Sequence, residues 1–222
     1  ASTPMKLRNG SSSSRMTTSL NKVTAFVLRR ADRAAQVLLI QHPHAGFQFP
    51  AGTVEPGEAP EAAVIREARE ETGLRDLPAP VFLASRTYPA PEGHLYITTA
   101  TPVYARPEVH SFDWARFRSG LMVRLLRRDQ DFAQVAFEEP DQLPNAAYIT
   151  YNITGWVPEA VLADTLVRRF YRFDYSRPTP PRWRVRTDNH LFTLFWAKLN
   201  HLPPIVHPQD EWVEILNNGI VM

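Results

Sequence analysis

Residues 52–74 read GTVEPGEAPEAAVIREAREETGL, and this stretch decides the fold. Residues 59–72 are predicted as a helix. Pro60 suits its first turn, where a missing N–H costs nothing. Gly73 suits the left-handed position just past its end, and Leu74 supplies the apolar contact of such a stop. On this helix Glu67, Glu70 and Glu71 stand at i, i+3 and i+4 and project as one cluster of carboxylates. Like charges at that spacing destabilise an isolated helix, so something must compensate them. A hard divalent cation with oxygen ligands is the natural partner, and magnesium is content with a few carboxylates plus water and phosphate oxygens. Ala62, Ile65 and Ala68 are expected to form the packing face. Arg66 can reach Glu70 one turn on, or bridge back to the preceding loop. Gly52 permits a close approach of backbone to ligand, and its carbonyl could join a metal shell. Glu58, at the mouth of the helix, orders the loop or adds an outer ligand.

Outward from this stretch, branched residues predict strands at 22–29 and 36–42, with a turn-dense loop at 44–57. Two further strands are predicted at 81–88 and 94–104, joined by a proline-rich turn at 89–93. Trp114, Phe117, Leu121 and Leu125 recur at helical spacing. Residues 147–156 look extended, 158–170 look helical with Pro158 opening the turn, and SRPTPP at 176–181 is a break. Residues 191–199, LFTLFWAKL, read as a strand buried on both faces. A short helix at 210–216 closes the pattern. Residues 1–20 are serine-rich without apolar period and read as a flexible leader or a cloning remnant ending near Met16.

The chain has 222 residues and 44% apolar residues, enough for a real core. It lacks cysteine, which excludes disulfides and thiolate metal sites. No apolar run reaches a membrane span, and the expected location is cytoplasmic. The net charge is only +2. Acid concentrates between Glu55 and Glu71. Arginine concentrates at Arg116, Arg118, Arg124, Arg127 and Arg128, then at Arg168, Arg169, Arg172, Arg177, Arg182, Arg184 and Arg186. These arginines read as a solvated surface or as a basic rim for phosphate-bearing ligands.

The spacing is Gly, five residues, Glu, seven residues, then Arg-Glu-apolar-any-Glu-Glu-any-Gly-apolar. It resembles the Nudix box at every defined position, from Gly52 through Leu74. Seven fixed identities at fixed spacing make a specific motif. VLLIQHPHAGFQFPAG resembles the strand and loop that lead into the box, with Ala51 where a second glycine is common. The resemblance implies an α/β fold of the α+β type: a mixed β-sheet sandwiched between helices. The clear match covers about 21–105, and 183–216 would supply the last strand and helix. Residues 106–182 would form an inserted segment within a single domain spanning 21–222.

The resemblance further implies attack of water on a phosphorus of a nucleoside diphosphate linked to another group. Glu67, Glu70 and Glu71 would be metal-centred, with Gly52 contributing its carbonyl; Glu67, Glu70 and Arg66 would be catalytic. Magnesium is the implied cofactor, with manganese as a substitute. The base would be Glu67 or an acid outside the box, for which Glu138, Glu139 and Glu211 are candidates. Pro89, fifteen residues after Leu74, resembles enzymes of the family that cut ADP-ribose, although Pro89, Pro91 and Gly93 also read as a hairpin loop. ADP-ribose or a nucleotide sugar is therefore the favoured substrate. The arginine-bearing motif of the coenzyme A subfamily is absent from HPHAGFQFP. Phe47, Phe49, Tyr88 and Tyr96 could stack a base, and Arg168 and Arg172 could meet phosphates at the edge of the inserted segment. His42, His44, His94 and His190 read as ordinary polar residues. An isomerase of the isopentenyl diphosphate type needs a cysteine this chain lacks. Nucleoside triphosphate or RNA-cap hydrolysis and a non-enzymatic nucleotide- or RNA-binding role remain alternatives, as does a homodimer.

Overall fold

The computed structural model describes residues 19–31, 34–43, 45–141, 147–187 and 190–220. The leader expected at 1–20 falls almost wholly outside these residues, as does His44. The chain opens with β1 (Leu20–Ala31), β2 (Ala34–His42), β3 (Gly46–Gln48) and β4 (Ala51–Thr53). Helix α1 (Pro60–Thr72) and β5 (Val81–Pro89) follow. Next come β6 (His94–Ile97), β7 (Thr101–Tyr104), β8 (Asp113–Phe117), β9 (Met122–Asp129), β10 (Phe132–Pro140), β11 (Ile149–Pro158) and β12 (Leu162–Ala163). The chain ends with β13 (Thr165–Asp174), β14 (Arg182–Thr187), β15 (His190–Lys198) and helix α2 (Val213–Asn218). Among the described residues no helix is long and apolar enough to cross a membrane.

The first sheet runs β14-β15-β2-β1-β13-β5, with β3 on β2 and β4 on β1. It is mixed: β13 lies parallel to β1 and antiparallel to β5. Alternate residues of β1 face opposite sides, as strand geometry dictates. Val23, Ala25 and Val27 pack with Ala63, Val64 and Ala68 of α1. Phe26 and Leu28 pack with Trp212, Ile215 and Leu216 around α2. The sheet therefore lies between helices, as the sequence predicts.

The second sheet runs β12-β6-β9-β10-β11-β7-β8 around Leu95, Ile97, Val103, Phe117, Val123, Val135 and Val157. It cannot be flat. On a flat sheet β6 and β7 would lie about 19 Å apart, at roughly 4.8 Å per strand. Ile97 and Thr101 are joined by three residues, which reach about 14 Å at most. The sheet must curl around its own apolar core.

Several expectations are corrected here. Trp114, Phe117, Leu121 and Leu125 lie on no helix: Gly120, at φ 90°, breaks the run, and Trp114 and Phe117 enter β8 while Leu125 enters β9. Residues 158–170 form β12 and most of β13 after one short 3-10 turn at Glu159–Val161. There Leu166, Arg168 and Phe170 alternate with Val167, Arg169 and Tyr171, a period of two that prevails over the helical spacing. The single strand at 94–104 is split into β6 and β7. Residues 89–93 link two sheets instead of closing a hairpin, because Pro89 pairs with Thr165 and His94 with Arg124. The chain thus departs from the first sheet after Pro89 and rejoins it at Thr165. The end of the segment expected at 106–182 runs within the first sheet.

Candidate active site

Helix α1 forms where its residues allow. Pro60 occupies the first turn, and the Ala63 N–H returns to the Ala59 carbonyl at 2.9 Å. Gly73 adopts φ 72° and donates its N–H to Arg69. The Trp183 indole donates to the Thr72 carbonyl at 2.7 Å and satisfies one of the last backbone acceptors. The buried face is Ala63, Val64, Ala68 and Thr72, with Ile65 partly covered. Ala62, expected on it, is exposed: the helix is rotated so that the paired apolar residues 63 and 64 meet the sheet.

This rotation turns Glu67 toward β4. Its Oε1 accepts the Thr53 N–H at 3.1 Å and Arg66 Nη1 at 2.9 Å. A Cβ on Gly52 would lie 1.8 Å from the Glu67 carboxyl carbon. Gly52 therefore makes room for a side chain of its own chain, a role the sequence suggested only toward a ligand. Glu71 accepts the Ala51 N–H at 2.8 Å. Arg66 is the hub. It donates from Nε and Nη2 to both oxygens of Glu58 at 2.9 Å, and from Nη2 to the Thr53 carbonyl at 3.0 Å. It also reaches Glu70 at 3.4 Å. Both routes foreseen for Arg66, to Glu70 and back to the loop, are taken at once.

These contacts set the electrostatics. The bidentate Arg66 bond holds Glu58 below the usual carboxylate range. Burial pushes Glu67 up, against the pull of Arg66, and the Glu70 charge adds to the rise. The Glu67 side chain is 15% exposed and that of Glu70 54%. Among the described residues, no three acidic or histidine side chains converge as a closed metal cage. The donors are instead spread along one helix edge and the β4 backbone, with room for other ligands.

A neighbour the sequence did not single out is Lys22 on β1, whose Cα partners are Thr53 on β4 and Arg168 on β13. Burial first, then the charges of Arg168 and Arg118, lower its amine to about 8, while Glu67 opposes the shift. Its signal was available only in the pairing of strands, which no local pattern reveals.

The remaining sequence candidates disperse. Phe49 is buried at 1% exposure with its ring edge-on to Phe26, so it stacks in the core. Phe47 packs on Phe195, and Tyr96 lies on β6 in the second sheet. Tyr88 is half-buried with an unpartnered hydroxyl, and Pro89 ends β5 beside Thr165. Arg168 is 9% exposed, donates to the Val23 carbonyl and Thr24 hydroxyl, and lies over the Trp212 ring. Arg172 donates to the Gly219 carbonyl and pairs with Asp174. It stands four residues further along β13, about 13 Å away. Glu138 pairs with Arg124, Glu139 is exposed, and Glu211 pairs with His207. Among the described residues, no hydrogen bond or ion pair links any of these three to the box. His42 accepts the Ala45 N–H, and His94 bonds the Glu92 carbonyl.

The chain is similar to known proteins in one region above all. It is 53% identical over 38 residues to Bacillus subtilis (strain 168) YtkD, to which 8-oxo-dGTP diphosphatase activity is provisionally assigned; the match covers 17% of this chain and 24% of that one. It is 47% identical over 58 residues to the uncharacterized Nudix hydrolase YvcI of the same organism, covering 26% and 35%. The chain thus spans about a quarter to a third of the length of the curated relatives it matches. Among solved structures it is similar to the Nudix domain of Shewanella oneidensis NrtR complexed with ADP ribose. That match has 13% identity and a TM-score of 0.48, and covers 91% of this chain and 89% of that one. The family model for the NUDIX domain matches residues 20–159, well over half of the sequence. On that match, together with the complete Gly52-to-Leu74 motif, this chain belongs to the Nudix family.

Proposed function

We propose that this protein is a divalent-metal-dependent hydrolase that cuts the pyrophosphate linkage of a nucleoside diphosphate joined to a second group. The observation that carries this reading is the Glu67 carboxylate, fixed against Gly52 by Arg66 and the Thr53 N–H. A pre-set carboxylate is what metal-assisted attack on phosphorus needs. The donor set fits a hard cation: three glutamates and the Gly52 carbonyl offer only oxygen, and the open arrangement suits an ion that keeps water and phosphate ligands. Glu67, Glu70, Glu71 and the Gly52 carbonyl would hold magnesium or manganese, which when bound neutralises the diphosphate and acidifies water. Arg66 orients Glu67 and links it to the Glu58 loop. Glu67 is the proton acceptor we favour, because among the described residues Glu138, Glu139 and Glu211 have no hydrogen bond or ion pair to the box.

ADP-ribose or a nucleotide sugar is the substrate class we favour. The position of Pro89 supports it, as does a second sheet large enough to meet a two-part substrate. The test is a panel of ADP-ribose, nucleotide sugars, nucleoside triphosphates, dinucleoside polyphosphates and capped RNA, assayed with magnesium for wild type and Glu70→Gln. Turnover of a linked diphosphate that is lost in the variant is expected. No turnover of any member, or equal turnover by both proteins, overturns the reading; preference for a triphosphate overturns the substrate class.

A further inference from the structure

The second sheet sends one turn back to the box. Between β8 and β9 the Gly120 N–H bonds to Ile97, and the Ser119 hydroxyl bonds to Thr98, so the turn is tied to its own sheet. Its outer side meets the first sheet. A Cβ on Gly120 would lie 3.2 Å from Lys22 Nζ and 3.3 Å from the Thr53 hydroxyl. Thr53 is also the residue whose N–H holds Glu67. The turn therefore sits against Lys22 and Thr53, and it carries Arg118 near enough for its charge to act on the Lys22 amine.

The charges around it are unevenly matched. Thr53, Lys22, Arg168 and Arg86 form one row across β4, β1, β13 and β5. Arg86 is paired with Glu214, and Arg168 is bonded to a carbonyl and a hydroxyl over an indole ring. Among the described residues Lys22 and Arg118 have no hydrogen bond or ion pair, yet they lie close enough to repel each other. Glu67, whose charge attracts Lys22, already binds Arg66. Gathering unpaired cations on partly desolvated surface is unfavourable without a counter-anion. Near Arg168, the buried Tyr88 hydroxyl also lacks a partner.

We propose that Lys22 and Arg118 form a phosphate subsite, completed by the β8–β9 turn of the second sheet, that grips the substrate's diphosphate beside Glu67. A phosphate oxygen takes the point charge of lysine, and two take the fork of arginine. The inference rests on the hydrolase reading only for the identity of the molecule that carries the phosphates. It gives the second sheet a function: the sheet brings Arg118 to the box.

The test is calorimetric binding of inorganic pyrophosphate to the full chain in excess chelator, so that no metal contributes. Wild type and Glu70→Gln should bind. Arg118→Ala and Lys22→Met should each bind about tenfold more weakly, the loss expected for one charge-assisted contact, and Arg118→Lys should recover part of it. Melting temperatures should match within the Arg118 pair, because that side chain is exposed. With the best panel substrate, Arg118→Ala should raise KM more than it lowers kcat. No pyrophosphate binding by wild type, or equal binding by wild type and both charge-removing variants, overturns the subsite. Because the calorimetry reads binding alone, a silent substrate panel would sink the hydrolase reading without touching the binding result.

Discussion

The Glu67 carboxylate rests on the Cα of Gly52, in the space where any other residue would carry its Cβ, 1.8 Å from the carboxyl carbon. Gly52→Ala is therefore the smallest change that dislodges the site. The carboxylate must swing off Thr53 and Arg66, so roughly a tenfold or greater fall in kcat is expected, the cost of a misplaced catalytic group. The sheet partner Val23 keeps its backbone pairing, so the variant should remain folded. A Gly52→Ala protein with wild-type kcat would mean that this placement does not matter to turnover.

Glu70→Gln separates catalysis from folding. Glutamine matches glutamate in size and helix propensity, and this side chain is more than half exposed. The 3.4 Å contact to Arg66 is weakened, while a repulsion with Glu67 is relieved, so metal-free stability should be level. Turnover should fall about a hundredfold or more, because a neutral amide is a poor magnesium ligand. Magnesium should raise the melting temperature of wild type more than that of the variant. Equal magnesium shifts in the two proteins would remove Glu70 from the metal site.

How much of this was legible depended on whether a feature was local. The helix ends were, because Pro60 and Gly73 carry fixed backbone preferences. Arg66, Glu67, Glu70 and Glu71 were also legible, because spacing alone puts them together. The second sheet was legible only in part: 94–104 and 147–156 read as extended and supply β6, β7 and β11, but Trp114, Phe117, Leu121 and Leu125 satisfy a helical period by coincidence, and Gly120 at φ 90° marks the break. β14 went unnoticed because RWRVRT alternates arginine with apolar residues, which reads as surface charge although Trp183 and Val185 face α1. Lys22 and Arg118 lie nearly a hundred residues apart, and only the folded chain brings them together.

Glu58 and Glu67 should pull the pH dependence of stability in opposite directions. Glu58 is held below its ordinary pKa by Arg66. Its contribution is present above the ordinary value of about 4.3 and is lost as pH falls through the lower folded value. Glu67 is raised by burial. Its contribution is full below the ordinary value and is lost as pH rises through the higher folded one. At pH 7 in chelator, Glu58→Gln should therefore be less stable than wild type, and Glu67→Gln more stable. Urea melts between pH 3 and pH 8, on the order of these ordinary carboxylate values, check both signs. A Glu67→Gln protein weaker than wild type at pH 7 would contradict the burial account.

Arg168 is a structural cation, and its variants should show it. Arg168 is 9% exposed and its guanidinium is lowered to about 10 by burial, so its charge is an expense the fold offsets with contacts. Those contacts are the Val23 carbonyl at 3.3 Å, the Thr24 hydroxyl at 3.0 Å and the Trp212 ring at 4.4 Å. Arg168→Ala removes all three and empties the space under α2. A loss of about 2 kcal/mol is expected from the stranded acceptors and the uncovered indole. Arg168→Met keeps the volume and removes the buried charge, so it should recover at least half of that loss. Neither variant should weaken pyrophosphate binding as much as Arg118→Ala, because the Arg168 donors already serve the backbone and Thr24. Urea melts in parallel with the calorimetry decide it. If Arg168→Met is as stable as wild type yet binds pyrophosphate no better than Arg118→Ala does, Arg168 belongs to the phosphate subsite and its role here is misassigned.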